Sequence, residues 1–527
     1  MSSEKVDFKH FEDFKESGNT SIHHESKTVI KRPMHSELAA ALAKEKPEPW
    51  SRRMLRLYCV LFVAYLCSAT NGFDSNTFGG ASALTSFQDY FSLHGGSKQG
   101  LIAASYVIGN MVGSLGAGQV SDKWGRKYGM GIGSFICLIG AIVQTAAKDA
   151  NYLIGGRVVL GLGASIAQTA GPAYVVELSH PAYRAVLTGL YQANFFLGTI
   201  LSTWIEFGLS YVPGNPQFQW RVPMALQALP SVLVLAFIWF IPETPRWYIS
   251  HGDDERAREI LARYHGGGNL DSEITRGKQD NDLSPSVILT TGRWWDFRGL
   301  LRTRGDRHRF FLVACIAFFG QWDLPPTSYY FPLLVELAGV TNEHIVLLLN
   351  ALQTPIMMIA ALCGLRQIEK WGRRPTLLFS STGMCLCVVA ITVCTALTSK
   401  SPKAGPAGIA FLYLFLVVFA FVWTPMQALY PVEVLGYNNR AKGLAVMNLL
   451  VNTAGLFNTY LPPVAISAVS WRFYLFYATW DAFGVFVIYF TFVETKGRNL
   501  EEIDAIFLSE HPVKTSLMNE TKTLSEI

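Results

Sequence analysis

Charge is what this chain has least of. Asp, Glu, Lys and Arg make up 16% of its 527 residues, against 50% hydrophobic. That composition alone leaves a soluble enzyme open, but the placement of the charges does not. They gather in short connectors and leave apolar runs near the ~20 residues that cross a ~30 Å hydrocarbon layer. A disulfide framework is excluded in the same way. The eight cysteines (Cys59, Cys67, Cys137, Cys315, Cys363, Cys385, Cys387 and Cys394) all fall inside or at the edge of apolar runs, as packed, reduced thiols do. The long middle loop carries no nucleotide or metal motif. No covalent chemistry is implied, so neither catalytic residues nor a cofactor or metal is expected, and the chain is not read as an enzyme. No cleavable signal peptide opens it; residues 1–50 are polar, mixed in charge and expected to be disordered. The net charge of +5 comes from the connectors and calls for no nucleic-acid partner.

What is present is a series of twelve apolar spans. They run at roughly 57–79, 98–120, 128–147, 152–173, 185–208, 222–241, 309–334, 342–366, 376–397, 406–430, 443–468 and 471–493. Backbone groups in lipid must be satisfied within the segment, so each span is a helix. Orientation follows Lys and Arg. Lys123, Arg126, Lys127, Arg184, Lys370, Arg373, Arg374, Arg440 and Lys442 share one side with the tail residues Lys44, Lys46, Arg52, Arg53 and Arg56. The other side carries chiefly Lys98, Lys148, Lys400 and Lys403. Both termini are therefore expected in the cytoplasm, where the sequons at Asn19 and Asn519 would stay unglycosylated. The expected division is a tail at 1–56, a six-helix bundle at 57–242, a cytoplasmic loop at 243–308, a second bundle at 309–493 and a tail at 494–527. Within the loop, His251–Gly267 reads as a short amphipathic helix ended by glycines.

The two bundles repeat one another. GQVSDKWGRK at Gly118–Lys127 returns as EKWGRR at Glu369–Arg374, so Glu369 stands for Asp122 and Arg373 for Arg126. Tyr174, Glu177 and Arg184 recur at the same spacing as Tyr430, Glu433 and Arg440. PETPR (Pro242–Arg246, with Glu243) is echoed by VETKGR (Val493–Arg498, with Glu494). Three echoes in one order, about half the chain apart, indicate a duplicated unit, as in membrane proteins built from two parallel repeats.

Charges inside spans are costly and usually paired or functional. Asp74 ends the first span, and its protonation would respond both to burial and to a nearby cation. Arg157, in GRVVLGLGAS (Gly156–Ser165), is the next intramembrane charge and a plausible partner. The neighbouring Gly161 and Gly163 are read as close-packing positions. Asp481 is a further acid in mid-span twelve, read as a structural pairing.

Together, GQVSDKWGRK, GRVVLGLG, YVVELSHPAYRA, PETPRW and VETKGR resemble the sugar porter family of the major facilitator superfamily, over about residues 57–505. Thr424–Gly443 and Gly320–Trp322 look most like its fungal lactose permease and cellodextrin transporter branch. The resemblance implies an all-α membrane protein of twelve transmembrane helices in two pseudo-symmetric six-helix bundles, rocking around a central site. It makes Asp122, Arg126, Glu177 and Arg184, and Glu369, Arg373, Glu433 and Arg440, ion pairs of a cytoplasmic gate that form when the gate is shut. Glu243, Arg246 and Glu494 join that gate. Static anchoring at the interface is the plainer alternative. Asp74 with Arg157 matches the proton-coupling pair of proton-driven members. Gln192 matches a glutamine that bonds sugar hydroxyls, which suits solutes with polar edges and apolar faces. Gln321, Trp322, Tyr329 and Tyr330 match the family in span seven, while Asp323-Leu324-Pro325-Pro326 departs from it. The prolines should break the helix, and Asp323 adds a carboxylate that could select a polar group. Trp423, Gln427, Asn452 and Asn458 complete the substrate candidates, with Asn350 and Gln353 weaker ones. Ala428 takes the place of a tryptophan that stacks on sugar in monosaccharide carriers, leaving room for a larger solute.

The expectation is thus a multi-pass secondary active transporter of the plasma membrane, monomeric, importing a di- or oligosaccharide (lactose- or cellobiose-like) with a proton by alternating access. The alternatives are a non-transporting sugar sensor on the same scaffold and a facilitative carrier of a hexose, polyol or related solute.

Overall fold

Each connector that carries charge becomes a helix boundary. The computed structural model describes residues 48–93, 96–212, 215–266, 269–270, 297–323, 327–398, 400–401, 403–436, 439–498 and 500–518, which are helical with no strand among them. The sequons and the segment Leu324–Pro326 lie outside these residues.

The first half holds α1 (Arg52–Ser82), α2 (Thr85–Tyr90), α3 (Gly96–Trp124), α4 (Arg126–Thr145), α5 (Ala150–Leu178), α6 (Arg184–Leu209), α7 (Pro216–Leu226) and α8 (Ala228–Phe237). The loop carries α9 (Pro245–Ser250) and α10 (Asp254–Tyr264). The second half holds α11 (Arg304–Trp322), α12 (Thr327–Leu337), α13 (Glu343–Trp371), α14 (Arg373–Leu397), α15 (Ala404–Val434), α16 (Arg440–Val469) and α17 (Tyr474–Thr491), followed by α18 (Leu500–Leu508) and α19 (Pro512–Ser516). Among the described residues, nine stretches are long and apolar enough to cross a membrane, and the last of them, Lys442–Thr491, contains both α16 and α17. Adding α6 and the pair α11 and α12 completes the twelve spans, with α7 and α8 together forming the sixth.

Local chemistry sets the boundaries. The Ser51 hydroxyl accepts from Met54 N at 3.4 Å, so α1 starts before residue 57 and the tail is shorter than expected. Asp149 caps α5 by accepting from Asn151 N (2.9 Å) and Tyr152 N (3.0 Å), and Thr303 with Asp306 forms a capping box on α11. The turns between α3 and α4 and between α13 and α14 each hinge on a glycine, Gly125 and Gly372, both at φ +99°. A side chain there would be strained by the backbone and would also strike the carboxyl of Glu243 or Glu494. Gly161 and Gly163 are packing positions, as expected. A Cβ on Gly163 would lie 2.6 Å from Cys137 N, and one on Gly161 would overlap the Tyr106 carbonyl.

Amphipathic α10 seats Ile260 and Tyr264 against the cluster of Met54, Leu57 and Leu178 at the basic end of the first half, and His265 Nε2 lies 2.9 Å from Leu178 O. The two halves meet at the other end. There Gly96 and Gly100 of α3 press on the backbone of Pro463 and Tyr460 in α16, and Phe78 of α1 packs on Tyr329 of α12 at 6.4 Å. Ser210 Oγ reaches His344 Nδ1 at 2.9 Å, Tyr211 stacks on His344 at 4.4 Å, and Thr85 N donates to Glu343 Oε1 at 2.9 Å.

Candidate functional site

At the basic end, the three sequence echoes become one geometry, built twice. In the first half Glu243 lies over the start of α4, its carboxylate accepting from Arg126 N (3.0 Å) and Lys127 N (3.0 Å). Arg126 reaches Glu177 (Nε–Oε1 3.2 Å) and Asp122 (Nη1–Oδ1 3.1 Å). Thr244 Oγ1 donates to Glu177 Oε2 at 2.6 Å, and Tyr174 OH donates to Pro242 O at 2.8 Å. In the second half Glu494 accepts from Arg373 N (2.9 Å) and Arg374 N (3.0 Å). Arg373 grips Glu433 with Nη2 at 2.7 Å and Nε at 3.0 Å. Thr495 Oγ1 donates to Glu433 Oε2 at 2.5 Å and Tyr430 OH to Val493 O at 2.9 Å. An anionic carboxylate at a helix N-terminus satisfies orphan donors and meets the positive end of the dipole. Burial pushes the Glu243 carboxyl above the ordinary glutamate range, and the N–H groups of Thr244, Lys127 and Arg126 pull it back.

This arrangement corrects two expectations. Arg126 and Arg373, beside the glycine turns, hold the glutamates; Arg184 lies exposed and Arg440 donates instead to Leu435 O at 3.4 Å. Glu369 and Arg246 are also exposed. The pairs join helices of the same half, and they are made while the helices that pack between halves meet at the opposite end.

Toward the end where the halves meet lies Asp74 of α1, one turn before Phe78, 1% exposed and with neither carboxyl oxygen hydrogen-bonded. Arg157 of α5 does not form an ion pair with it, contrary to the expected partnership. Its Nε donates to Ile102 O at 2.8 Å, and its guanidinium lies 4.5 Å from the centre of the Phe78 ring, 5.6 Å from Tyr106 and 5.7 Å from Tyr329. Aromatic faces are a favourable bed for a desolvated cation. Through Tyr329 this one side chain touches both halves. Sequence reasoning passed over Glu206 of α6, which is 2% exposed with Oε2 unbonded. It packs on α1 at Gly80, where any side chain would overlap its carboxyl. A lone carboxylate within the fifth span was the available signal, the same one that picked out Asp74.

The substrate candidates divide. Gln192 is exposed, one residue on from Tyr191, whose face packs on α1, and away from the apolar stripe of Val186, Leu190, Leu197 and Leu201. Gln321, Trp322, Gln427 and Asn452 are half-buried. Of these, Trp322 Nε1 donates to Ala454 O (2.8 Å), Gln427 to Gly320 O (3.1 Å) and Asn452 to Asn448 O within its own helix (2.9 Å). Asn458 is structural: it donates to the Gln321 carbonyl and accepts from Tyr477 OH at 2.6 Å, tying α11 to α16 and α17. Tyr330 is fully buried with its hydroxyl on Thr459 O, and Tyr329 sits at the contact between halves. Asp323 and Trp423 point away from the space between the halves, into a cavity inside the second half that also holds Asp481. The reason is helix phase: α11 turns its last residues toward α16 and α17, where Trp322 meets Ala454 O and Trp480. Asn350 and Gln353 bond each other at 2.6 Å, both buried.

The chain belongs to the Sugar (and other) transporter family, whose pattern it matches over residues 60–507. It is 29% identical to a high-affinity glucose transporter of Kluyveromyces lactis over 480 residues, 86% of each chain. It is 30% identical to the sugar transporter STL1 of Saccharomyces cerevisiae, over 79% of this chain and 73% of that one. In fold it is similar to the inward open conformation of the xylose transporter XylE from E. coli, with a TM-score of 0.70 at 20% identity, covering 85% of this chain and 99% of that one. The architecture is therefore the major facilitator fold of twelve helices in two pseudo-symmetric bundles.

Proposed function

We propose that this chain is a secondary active transporter that carries a sugar and a proton together across the plasma membrane, acting as a monomer. The observation that carries this reading is Asp74, a buried carboxyl with no bonded oxygen, next to a cation that reaches across to the other half. A group so placed can hold or release a proton only as its surroundings rearrange, which is what coupling requires. The excess of Lys and Arg supports a cytoplasmic basic end and cytoplasmic termini. The halves meet away from that end, so the arrangement described is inward-facing. The exposed Gln192 and half-buried Gln321, Gln427 and Asn452 supply amide groups for hydroxyls.

Hexose or pentose is the first substrate class to test, since the relatives' names point there. A di- or oligosaccharide, as in the lactose permease and cellodextrin branch, is a second reading, favoured by the exposed Ala428 where a covering tryptophan would narrow the site. Purified protein in proteoliposomes, with an inward pH gradient and labelled glucose, xylose, lactose and cellobiose, decides among them. Gradient-driven filling with one sugar supports symport, and filling that an uncoupler leaves unchanged identifies a facilitator. Binding without flux of any solute identifies a sensor and overturns the proposal.

The contacts at the other end then form the outer gate. His344→Ala removes a hydrogen bond and a stacked ring that together are worth about 1 kcal/mol, so the outward-open population should rise about fivefold. Labelling of Gln192→Cys by an impermeant thiol reagent from outside, with the exposed Cys59 and Cys363 replaced, should quicken by that factor. An unchanged rate would show that these contacts do not gate access.

A further inference from the structure

The second half contains a polar cavity that the transport site does not use. It lies among α11, α14, α15 and α17 and is lined by Asp323, Asp481, Ser381 and Trp423, with Phe319 and Met384 as apolar walls. The four polar residues are between 1% and 5% exposed. Both oxygens of Asp481, Oδ2 of Asp323, Ser381 Oγ and Trp423 Nε1 are all buried without a hydrogen-bond partner. Leaving one such group unsatisfied costs on the order of 1–3 kcal/mol, and five in one pocket point to a ligand.

The chemistry of the lining restricts what that ligand is. No Lys or Arg lines the cavity. The other titratable groups nearby are Cys385 of α14, whose thiol is 3.7 Å from Ala478 O, and Tyr477 of α17, whose hydroxyl is on Asn458. Two carboxylates lining one small buried cavity with no cation beside them cannot both be ionised. A hard metal cation wants about six oxygens, whereas here a Trp N–H, which only donates, points into the same space.

We propose that Asp323 and Asp481 share one proton, bridged by a water that Ser381 Oγ and Trp423 Nε1 also bond, and so form a second protonation site in the C-terminal half. One O–H lies between the carboxyls, and the remaining carboxylate oxygens accept from the serine, the indole and the water. Release of that proton to solvent would leave two like charges in the pocket. Asp323 caps the C-terminal end of α11. Trp322, just before it, packs at 5.3 Å on Trp480, the neighbour of Asp481. Mutual repulsion would therefore act between the end of α11 and α17 and push the two helices apart. This functional role rests on the transporter reading; the shared proton itself does not.

The test uses purified full-length protein without any sugar, so failure of the transport proposal leaves it intact. Infrared difference spectra at neutral pH, in H2O and D2O, read the carbonyl stretch of protonated carboxyls. Wild type should show a band that D323N/D481N loses and D74N/E206Q keeps. Ser381→Ala, which spares both acids, should shift that band to higher frequency because a hydrogen bond to the carboxyl is lost. This covers the case in which the double variant does not fold. Equal spectra for wild type and D323N/D481N, or a band insensitive to Ser381→Ala, would overturn the proposal. So would a band that grows when sodium is replaced by choline, since the pocket would then hold a cation.

Discussion

Asp74→Asn should abolish uphill accumulation of sugar while leaving exchange between equal pools. The argument is thermodynamic. One proton moving down a gradient of one pH unit delivers about 1.4 kcal/mol, enough to concentrate a co-transported sugar about tenfold. An amide at position 74 has the shape of the protonated acid but cannot release a proton, so both states of the carrier carry the same charge and the gradient has nothing to act on. The accumulation ratio should fall from about tenfold to about one, while counterflow, which needs only the two conformations, persists. Glu206 is the internal rival, a second buried acid on the same helix interface. It lies about 9 Å along α1 from Asp74, at the level of Gly80. Glu206→Gln retains the contact of Ser202 Oγ with Oε1 (3.4 Å) and should leave accumulation within about twofold of wild type. If instead Asp74→Asn accumulates normally and Glu206→Gln does not, the coupling acid has been misplaced by two turns. Arg157→Lys separates charge from geometry. An ammonium keeps the charge but cannot lie flat on Phe78 and Tyr329, so loss of transport with normal folding would assign the ring contacts to the cycle.

How much of this was legible in the sequence depends on the kind of interaction. Helix number and the twofold repeat follow from patterns that recur locally, and repeated motifs must recur as repeated geometry; the seating of Glu243 on the start of α4 and of Glu494 on α14 came only with the structure. Asp74 was legible because a charge in an apolar run is rare enough to need a reason. Helix phase was not. Asn458 and Trp423 sit on spans whose apolar residues run all the way around, so no polar stripe distinguishes the face toward the substrate from the face toward a neighbouring helix. Both point into the second half. Asp323 and Asp481 are 158 residues apart (481 − 323), and nothing local connects them. The inclusion of Arg184 and Arg440 beside Arg126 and Arg373 in the expected pairs has the same origin. Arg184 lies near Glu177 in sequence, whereas Arg126 is 51 residues away and reaches it only through the packing of α4 on α5.

Arg373→Ala should destabilise the protein markedly, and the form of the loss distinguishes a scaffold from a latch. Arg373 and Glu433 are 13% and 19% exposed. Removing the guanidinium leaves the carboxylate with Thr495 as its side-chain donor. Breaking a fully buried pair costs roughly 3–5 kcal/mol. Partial exposure reduces that to about 2 kcal/mol, or a fall in melting temperature of several degrees. The loss is mostly an uncompensated charge, so R373A/E433Q should recover most of it. Arg126→Ala should behave alike, because Glu177 is 8% exposed, whereas Asp122→Ala, at a side chain 76% exposed, should change little. A pair that latched the two halves would give a different result: little change in melting temperature but a marked shift in labelling from the basic end. The structure favours the first outcome. Each network is complete within its own half while the other ends of the bundles are in contact, so its strength does not depend on which way the transporter faces. The network then keeps each six-helix unit rigid at the end where the loop attaches, and a rigid unit can rock as one body. Labelling that changes with Arg373→Ala at constant stability would reverse that assignment.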